Sequence, residues 1–331
     1  MKNLNTNFFL VEEMLQTSEI IKNFHTRDLS RPTESLKKTK KLFLSGEGSS
    51  RIFPAKNIIY RSLKKSSGLT IHTEGARQSA EVDLSESTLF CASNSGKTKE
   101  VIELFRKHPA QSQYALTAYT HTPIGKLSDE EFILNCGKEN ATAATKSVVE
   151  QALFYQTLVA EFHGNRISKE SLTKLAEKAQ AVLEMEIDNE IISKLSNSPM
   201  IYFSGRNNGV AEEITLKTNE IVRKKSDYLE GTYAVHGVEE VMDRDEIVVL
   251  IEPFKDELKK IEEVLVRGVG MCVIVISAQD TIFPTIRIPS LADFDEYLQL
   301  LTCWNVLVRV GINLGIDLDK PTRARKVGNE G

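Results

Sequence analysis

Two stretches of this chain, LFLSGEGSS at 42–50 and IYFSGRNNG at 201–209, share one design: a short apolar run that ends in Ser-Gly, then a polar turn ahead of a helical segment. The surroundings alternate in the same way. After LFLSG come helix IFPAKNIIYRSLKK, strand runs LTIH (69–72) and TLFCAS (88–93), a helix opened by SGKTKEVIELF, and strand runs YALTA (114–118) and FILN (132–135). The order restarts after residue 200 with IYFSG, helix VAEEITLKTNEIVRK, EIVVLIE (246–252), helix DELKKIEEVLVR, MCVIVIS (271–277), TIRIP (285–289) and helix FDEYLQLLTCWNVLVRVG. Continuous apolar runs separated by helices predict parallel sheet covered on both faces. One large doubly wound sheet is the alternative. The long helical stretches 145–163 and 166–195, with Gly164 between them, favour two.

The predicted architecture is therefore α/β, with two doubly wound parallel-sheet domains of three layers each, related by internal duplication. The expected divisions are an N-terminal helix in 1–35, a first domain in 36–165, a connecting helix in 166–196 and a second domain with the C-terminal tail in 197–331. Phe9, Leu10, Met14, Ile20, Ile21 and Phe24 supply the first helix, and Arg31-Pro32 reads as its break. A length of 331 residues agrees, being more than one hydrophobic core usually holds.

Charge and cysteine usage exclude several classes. Lys+Arg 42 against Asp+Glu 46 leaves a net charge of −4. That lacks the basic surface a nucleic-acid partner needs, and the cluster Lys37, Lys38, Lys40, Lys41 reads as a solvated helix face. No run approaches the roughly 18 apolar residues of a membrane span. Glu12 and Glu13 interrupt the first apolar patch, so no signal peptide is expected. Cys91, Cys136, Cys272 and Cys303 have no CxxC spacing and lie in or beside apolar runs, as reduced core cysteines of a cytoplasmic protein would.

The glycine-bearing turns fit neither common nucleotide fingerprint. GEGSSR has Arg51 where a dinucleotide loop needs its third glycine. SGKT has Cys91 where a P-loop needs its first. Yet Ser93, Asn94, Ser95 and Thr98 bring three hydroxyls and an amide to a strand–helix join, and Ser49 and Ser50 do likewise in the preceding unit. Such a join directs free N–H groups and the positive helix end outward, which suits a phosphate. Helix capping is the plainer use of any one of these residues. Two such loops in consecutive units favour a shared anion site.

Glu213, Lys217 and Glu220 fall at i, i+4 and i+7, on one face of a helix. A solvated face carrying a Glu–Lys pair is the plain reading. Ile214, Leu216 and Ile221 occupy the other sides, so the charged face meets either solvent or a cleft.

In order, GEGSS (46–50), SNSGKT (93–98), ENATAATK (139–146), EITLKTNE (213–220), Tyr233-Ala234-Val235-His236-Gly237 and DLDKPTRARK (317–326) resemble the motifs of the tandem sugar isomerase (SIS) domain family. The match is to the isomerase half of glucosamine-6-phosphate synthases and to the SIS-type glucosamine-6-phosphate deaminases, and it spans residues 40–327. The resemblance implies that Ser50, Ser93, Asn94, Ser95 and Thr98 hold the substrate phosphate, and that Ser49, Ala144 and Thr145 meet the sugar. It makes Lys217 the active-site lysine, Glu220 the general base, His236 the ring-opening histidine and Lys326 a lysine for the substrate amine or carbonyl. Three positions depart from the pattern: Tyr233 stands for a glutamate, Ala144 for a serine and Asn94 for a glutamine.

These residues suit the implied chemistry. One carboxylate can move a proton between neighbouring carbons through an enediol or enolamine, an imidazole can open the ring, and an ammonium can stabilise the oxyanion or form an imine. No cofactor is called for, and no cluster has metal-ligand spacing. The resemblance implies an amino-sugar phosphate isomerase/deaminase acting on glucosamine-6-phosphate or a close relative, without a glutaminase domain. It implies a homodimer with sites near the subunit boundary, His236 serving the neighbouring subunit, and a C-terminal tail closing as a lid. A fructosamine-6-phosphate deglycase and a non-catalytic sugar-phosphate sensor are the alternatives.

Overall fold

The computed structural model describes residues 7–323. It contains two five-stranded sheets, parallel throughout. In the first, β1 (Lys41–Gly46), β2 (Thr70–Gly75), β3 (Thr88–Ala92), β4 (Ser112–Thr117) and β5 (Glu130–Ile133) take the order β2-β1-β3-β4-β5. In the second, β6 (Met200–Gly205), β7 (Lys225–Glu230), β8 (Ile247–Ile251), β9 (Cys272–Ser277) and β10 (Thr285–Arg287) take the order β10-β9-β8-β6-β7. Read from β7, the second order is the first repeated.

The α-helices are α1 (Phe9–Lys22), α2 (Ser30–Thr39), α3 (Ile52–Lys65), α4 (Ala76–Ser79), α5 (Lys99–Lys107), α6 (Lys146–Phe162), α7 (Lys169–Glu184), α8 (Asn189–Asn197), α9 (Val210–Lys217), α10 (Leu258–Ile261) and α11 (Asp295–Asn313). Contacts divide the chain into two units. The β1–β5 unit holds Glu19–Glu139 and Ala144–Lys174, and the β6–β10 unit holds 7–18, Asn140–Ala143 and Leu175–Thr322.

Each sheet is buried on both faces, as its apolar runs require. Every residue of β3 and of β8 is buried. Alternation along β3 sends Leu89 and Cys91 to a core shared with Val101, Leu104 and Phe105 of α5. It sends Phe90 to the opposite face, among the rings of Tyr114, Phe132, Phe154 and Tyr155. In the second sheet Val248 and Leu250 pack with Val273, Val275, Ile261 and Leu265. Among the described residues no helix is long and apolar enough to cross a membrane.

Several local features differ from the sequence reading. Pro32 sits in the first turn of α2 and does not mark a break between elements; a first-turn proline gives up only an N–H that has no helical acceptor. The segment KSDYLE, with its alternating half-burial, forms β7 at the sheet edge. The helix expected over 210–224 is α-helical only to Lys217. It widens into a π-helical turn at Thr218–Val222 and stops at Arg223, whose φ is 55°. The stretch 166–195 is likewise two helices, α7 and α8, the second capped by Asp188, whose Oδ1 accepts from Glu190 N at 2.8 Å.

Candidate functional site

In a sheet ordered β2-β1-β3-β4-β5 the winding reverses between β1 and β3, and ligands of open parallel sheets bind beyond the carboxyl ends at that reversal. The two hydroxyl-rich turns leave those two ends. Gly46 closes the approach: a Cβ there would lie 2.8 Å from Ala92 O and 3.2 Å from Ser50 O, so only glycine lets the turns start side by side.

The hydroxyls do not cap the helices beyond these turns. Neither Thr98 before α5 nor the residues before α3 make a side-chain cap hydrogen bond. Instead Ser93 Oγ, buried, accepts from Gly96 N at 3.1 Å and lies 2.8 Å from Thr98 Oγ1, which shapes the turn from within. Ser95 Oγ accepts from Lys97 N at 3.2 Å, so its own proton remains available. The main-chain N–H groups of Asn94 and Ser95 donate to no acceptor among the described residues. Ser49 is buried with its Oγ unpartnered, and Ser50 beside it is half-buried. Unmet donors gathered at a turn, one of them the buried Ser49 hydroxyl, are what an anion would satisfy.

A buried carboxylate that the sequence reading does not assign ties this turn to the start of α6. Glu139 accepts from Asn94 Nδ2 at 2.9 Å, from Thr145 N at 2.7 Å and Oγ1 at 3.3 Å, and from Ser147 Oγ. The Thr145 hydroxyl proton is thus spent on Glu139, while Ala144 next to it is half-buried. The only signal in the sequence is a lone glutamate ahead of a run of small residues, which gives no hint of burial.

In the β6–β10 unit, α9 starts after Gly209, with Asn208 Oδ1 accepting from Val210 N at 3.1 Å, and packs against α11. Its charged face is not solvated. Glu213 is 0% exposed, Lys217 1% and Glu220 35% at the side chain, so of the three only Glu220 is open to solvent. Lys217 Nζ lies 2.8 Å from Glu220 Oε2 and 3.7 Å from Glu213 Oε1. The π-helical turn carries Glu220; such turns are frequent at functional sites.

His236 ends a 3₁₀ turn, Tyr233–Val235, and is exposed, with Nε2 3.5 Å from Lys260 Nζ. Among the described residues no hydrogen bond or ion pair joins His236 to Lys217 or Glu220. Lys326 lies outside the described residues. No group of three or more His, Cys, Asp or Glu among the described residues is arranged to hold a metal ion.

The corresponding reversal in the second sheet, between β6 and β8, is filled by its own side chains. Arg206 donates through Nη1 to Glu252 O and stacks 4.3 Å from the Phe254 ring. The Glu252 carboxylate accepts from Ser277 Oγ at 3.2 Å and Ala278 N at 3.0 Å. The cavity left there measures about 10 Å³, room for one water.

No protein-family model matches the chain. It is 26% identical over 270 residues to the glutamine--fructose-6-phosphate aminotransferase (isomerizing) of Vibrio vulnificus, covering 72% of this chain and 43% of that protein. The chain therefore spans less than half the length of the curated relatives it matches. Among solved structures, the C-terminal domain of glucosamine-fructose-6-phosphate aminotransferase from Francisella tularensis superposes with a TM-score of 0.80 at 20% identity, over 97% of this chain and 100% of that one. Tagatose-6-phosphate ketose/aldose isomerase from Escherichia coli gives 0.79 at 19% identity, over 97% of each chain. Glucosamine-6-phosphate deaminase from Thermotoga maritima gives 0.74 at 21% identity, over 96% and 97%. With two parallel five-stranded sheets matched along nearly its whole length, the chain has the SIS-type fold of the phosphosugar isomerases.

Proposed function

We propose that this chain is an amino-sugar phosphate isomerase/deaminase, converting glucosamine-6-phosphate or a close relative, with water, to fructose-6-phosphate and ammonia. The observation that carries the reading is the half-exposed Glu220 carboxylate braced by the buried Lys217 ammonium. A base fixed in this way can take a proton from one carbon of an open-chain sugar and return it to its neighbour. The turns at 46–50 and 93–98 supply the phosphate grip: hydroxyls of Ser50, Ser95 and Thr98, the unmet Ser49 Oγ, and free main-chain N–H groups, with Ser93 shaping the second turn. The similarity to a solved glucosamine-6-phosphate deaminase supports the choice of substrate class.

His236 opens the sugar ring, and it does so for the neighbouring subunit of a homodimer. Two features support this assignment: no hydrogen bond or ion pair to Glu220 among the described residues, and exposed Tyr233 and Val241 nearby at 58% and 74%. Lys326 supplies the ammonium for the substrate amine or carbonyl. The identical strand orders support a duplicated domain, 36–165 and 197–331.

The test is incubation of the purified protein with glucosamine-6-phosphate, assaying ammonia and fructose-6-phosphate. Both products should appear and should vanish with Glu220→Gln. Thermal stabilisation by the sugar phosphate without turnover would instead make the chain a sensor.

A further inference from the structure

Glu139 is 4% exposed, and three of the groups bonded to it besides Asn94 are donors: Thr145 N, Thr145 Oγ1 and Ser147 Oγ. Asn94 Nδ2 likewise donates to Glu139 Oε2 at 2.9 Å, so the end of the amide that joins this ring of donors is the NH₂. That fixes an orientation which geometry alone rarely decides for an asparagine. The carbonyl end then points away from Glu139, and Asn94 Oδ1 is buried with no partner. A buried carbonyl oxygen without a donor is costly in a native fold unless something supplies one.

A phosphate does not supply one. A sugar phosphate above its second pKa of about 6 is a dianion whose phosphoryl oxygens only accept, and a carbonyl oxygen facing them is repulsive. The anion is served by the same residue's main-chain N–H, which donates to no acceptor among the described residues. Asn94 therefore offers two different groups in one turn: an N–H from its backbone and an acceptor from its side chain.

We propose that Glu139 is a positioning residue that holds Asn94 with its carbonyl oxygen toward the ligand, so that the Asn94 side chain reads a hydrogen-bond donor of the sugar, a hydroxyl or ammonium, and not the phosphate. This rests on the sugar-phosphate reading above and deepens it. The phosphate grip stays with the hydroxyls and the main chain, and discrimination among phosphate-bearing ligands falls to the Glu139–Asn94 pair. Removing the positioning carboxylate frees the amide to rotate and present NH₂.

Calorimetric titration of wild type, Asn94→Ala and Glu139→Gln with inorganic phosphate, fructose-6-phosphate and glucosamine-6-phosphate tests this. Asn94→Ala should weaken the sugar phosphates about tenfold and change the inorganic phosphate Kd less than about twofold, as one lost hydrogen bond predicts. Glu139→Gln should shift the ratio of the two affinities in the same direction while phosphate binding persists, which a merely structural defect would not do. Parallel loss for inorganic phosphate and sugar phosphate overturns the assignment and makes the Asn94 side chain a phosphate ligand. No loss for either also overturns it. Wild type that binds inorganic phosphate but no sugar phosphate overturns the functional reading itself, a pattern distinct from the other two.

Discussion

Lys217 Nζ stands 2.8 Å from Glu220 Oε2, yet the ammonium is withdrawn from solvent while the carboxylate is not. The buried ammonium braces the carboxylate that faces solvent. Glu213, wholly buried on the preceding turn, completes the cluster at 3.7 Å from the same nitrogen.

Replacing Glu220 by glutamine keeps its size and removes its basicity. The kcat on glucosamine-6-phosphate should fall by about 10²–10⁴-fold, the range for a lost general base. The Kd for fructose-6-phosphate, measured separately, should stay within a few-fold.

Lys217→Met should act on stability as well as activity. Taking one partner from a buried ion pair leaves the other charge uncompensated and costs about 3–5 kcal/mol. Urea unfolding should show that loss, and adding Glu213→Gln should recover part of it. A double variant less stable than Lys217→Met would show that Glu213 is held by other groups.

Gly96 has φ +66°, and a Cβ there would lie 2.3 Å from the Thr122 side chain. Gly96→Ala therefore meets both backbone strain and overpacking, each on the order of 1–3 kcal/mol. Because Gly96 N is the donor to Ser93 Oγ, the turn should distort as well. Inorganic phosphate should lose its stabilising effect on the melting temperature of this variant.

Burial raises the thiol pKa of Cys91, Cys136 and Cys303, and in Cys136 the Glu150 and Glu139 carboxylates add to it. Cys272 is raised by desolvation too, although it is only half-buried. A raised pKa lowers the thiolate fraction at neutral pH, and thiolate is the reactive form. A thiol reagent at pH 7 should therefore label the native protein slowly. Raising the pH should quicken Cys272 first, and denaturant should expose all four.

The paired strand–turn–helix pattern is legible in the sequence because buried strands read as unbroken apolar runs. β7 is not, since KSDYLE lies at a sheet edge and carries charge on its exposed side. The hydroxyl turns are visible as residues, but whether Ser49 and Thr98 cap helices is a matter of geometry. Thr145 is expected to face the sugar, while its hydroxyl donates to Glu139, a partner six residues away that no periodicity marks. The Glu213–Lys217–Glu220 face is plain from spacing, but its burial is not, because the residues around α9 do not say what covers that face. The π-helical turn is hidden as well: Thr218–Val222 has the composition of any helix.

That turn makes chain length, and not only residue identity, a determinant at this position. Each residue added to or removed from a helix rotates all downstream side chains by about 100°. Deleting one residue between Lys217 and Glu220 would let an ordinary coil reel straight through. The carboxylate would then swing to a different bearing with its chemistry intact and its brace gone, so a shortened variant would be inert without any active group having been replaced.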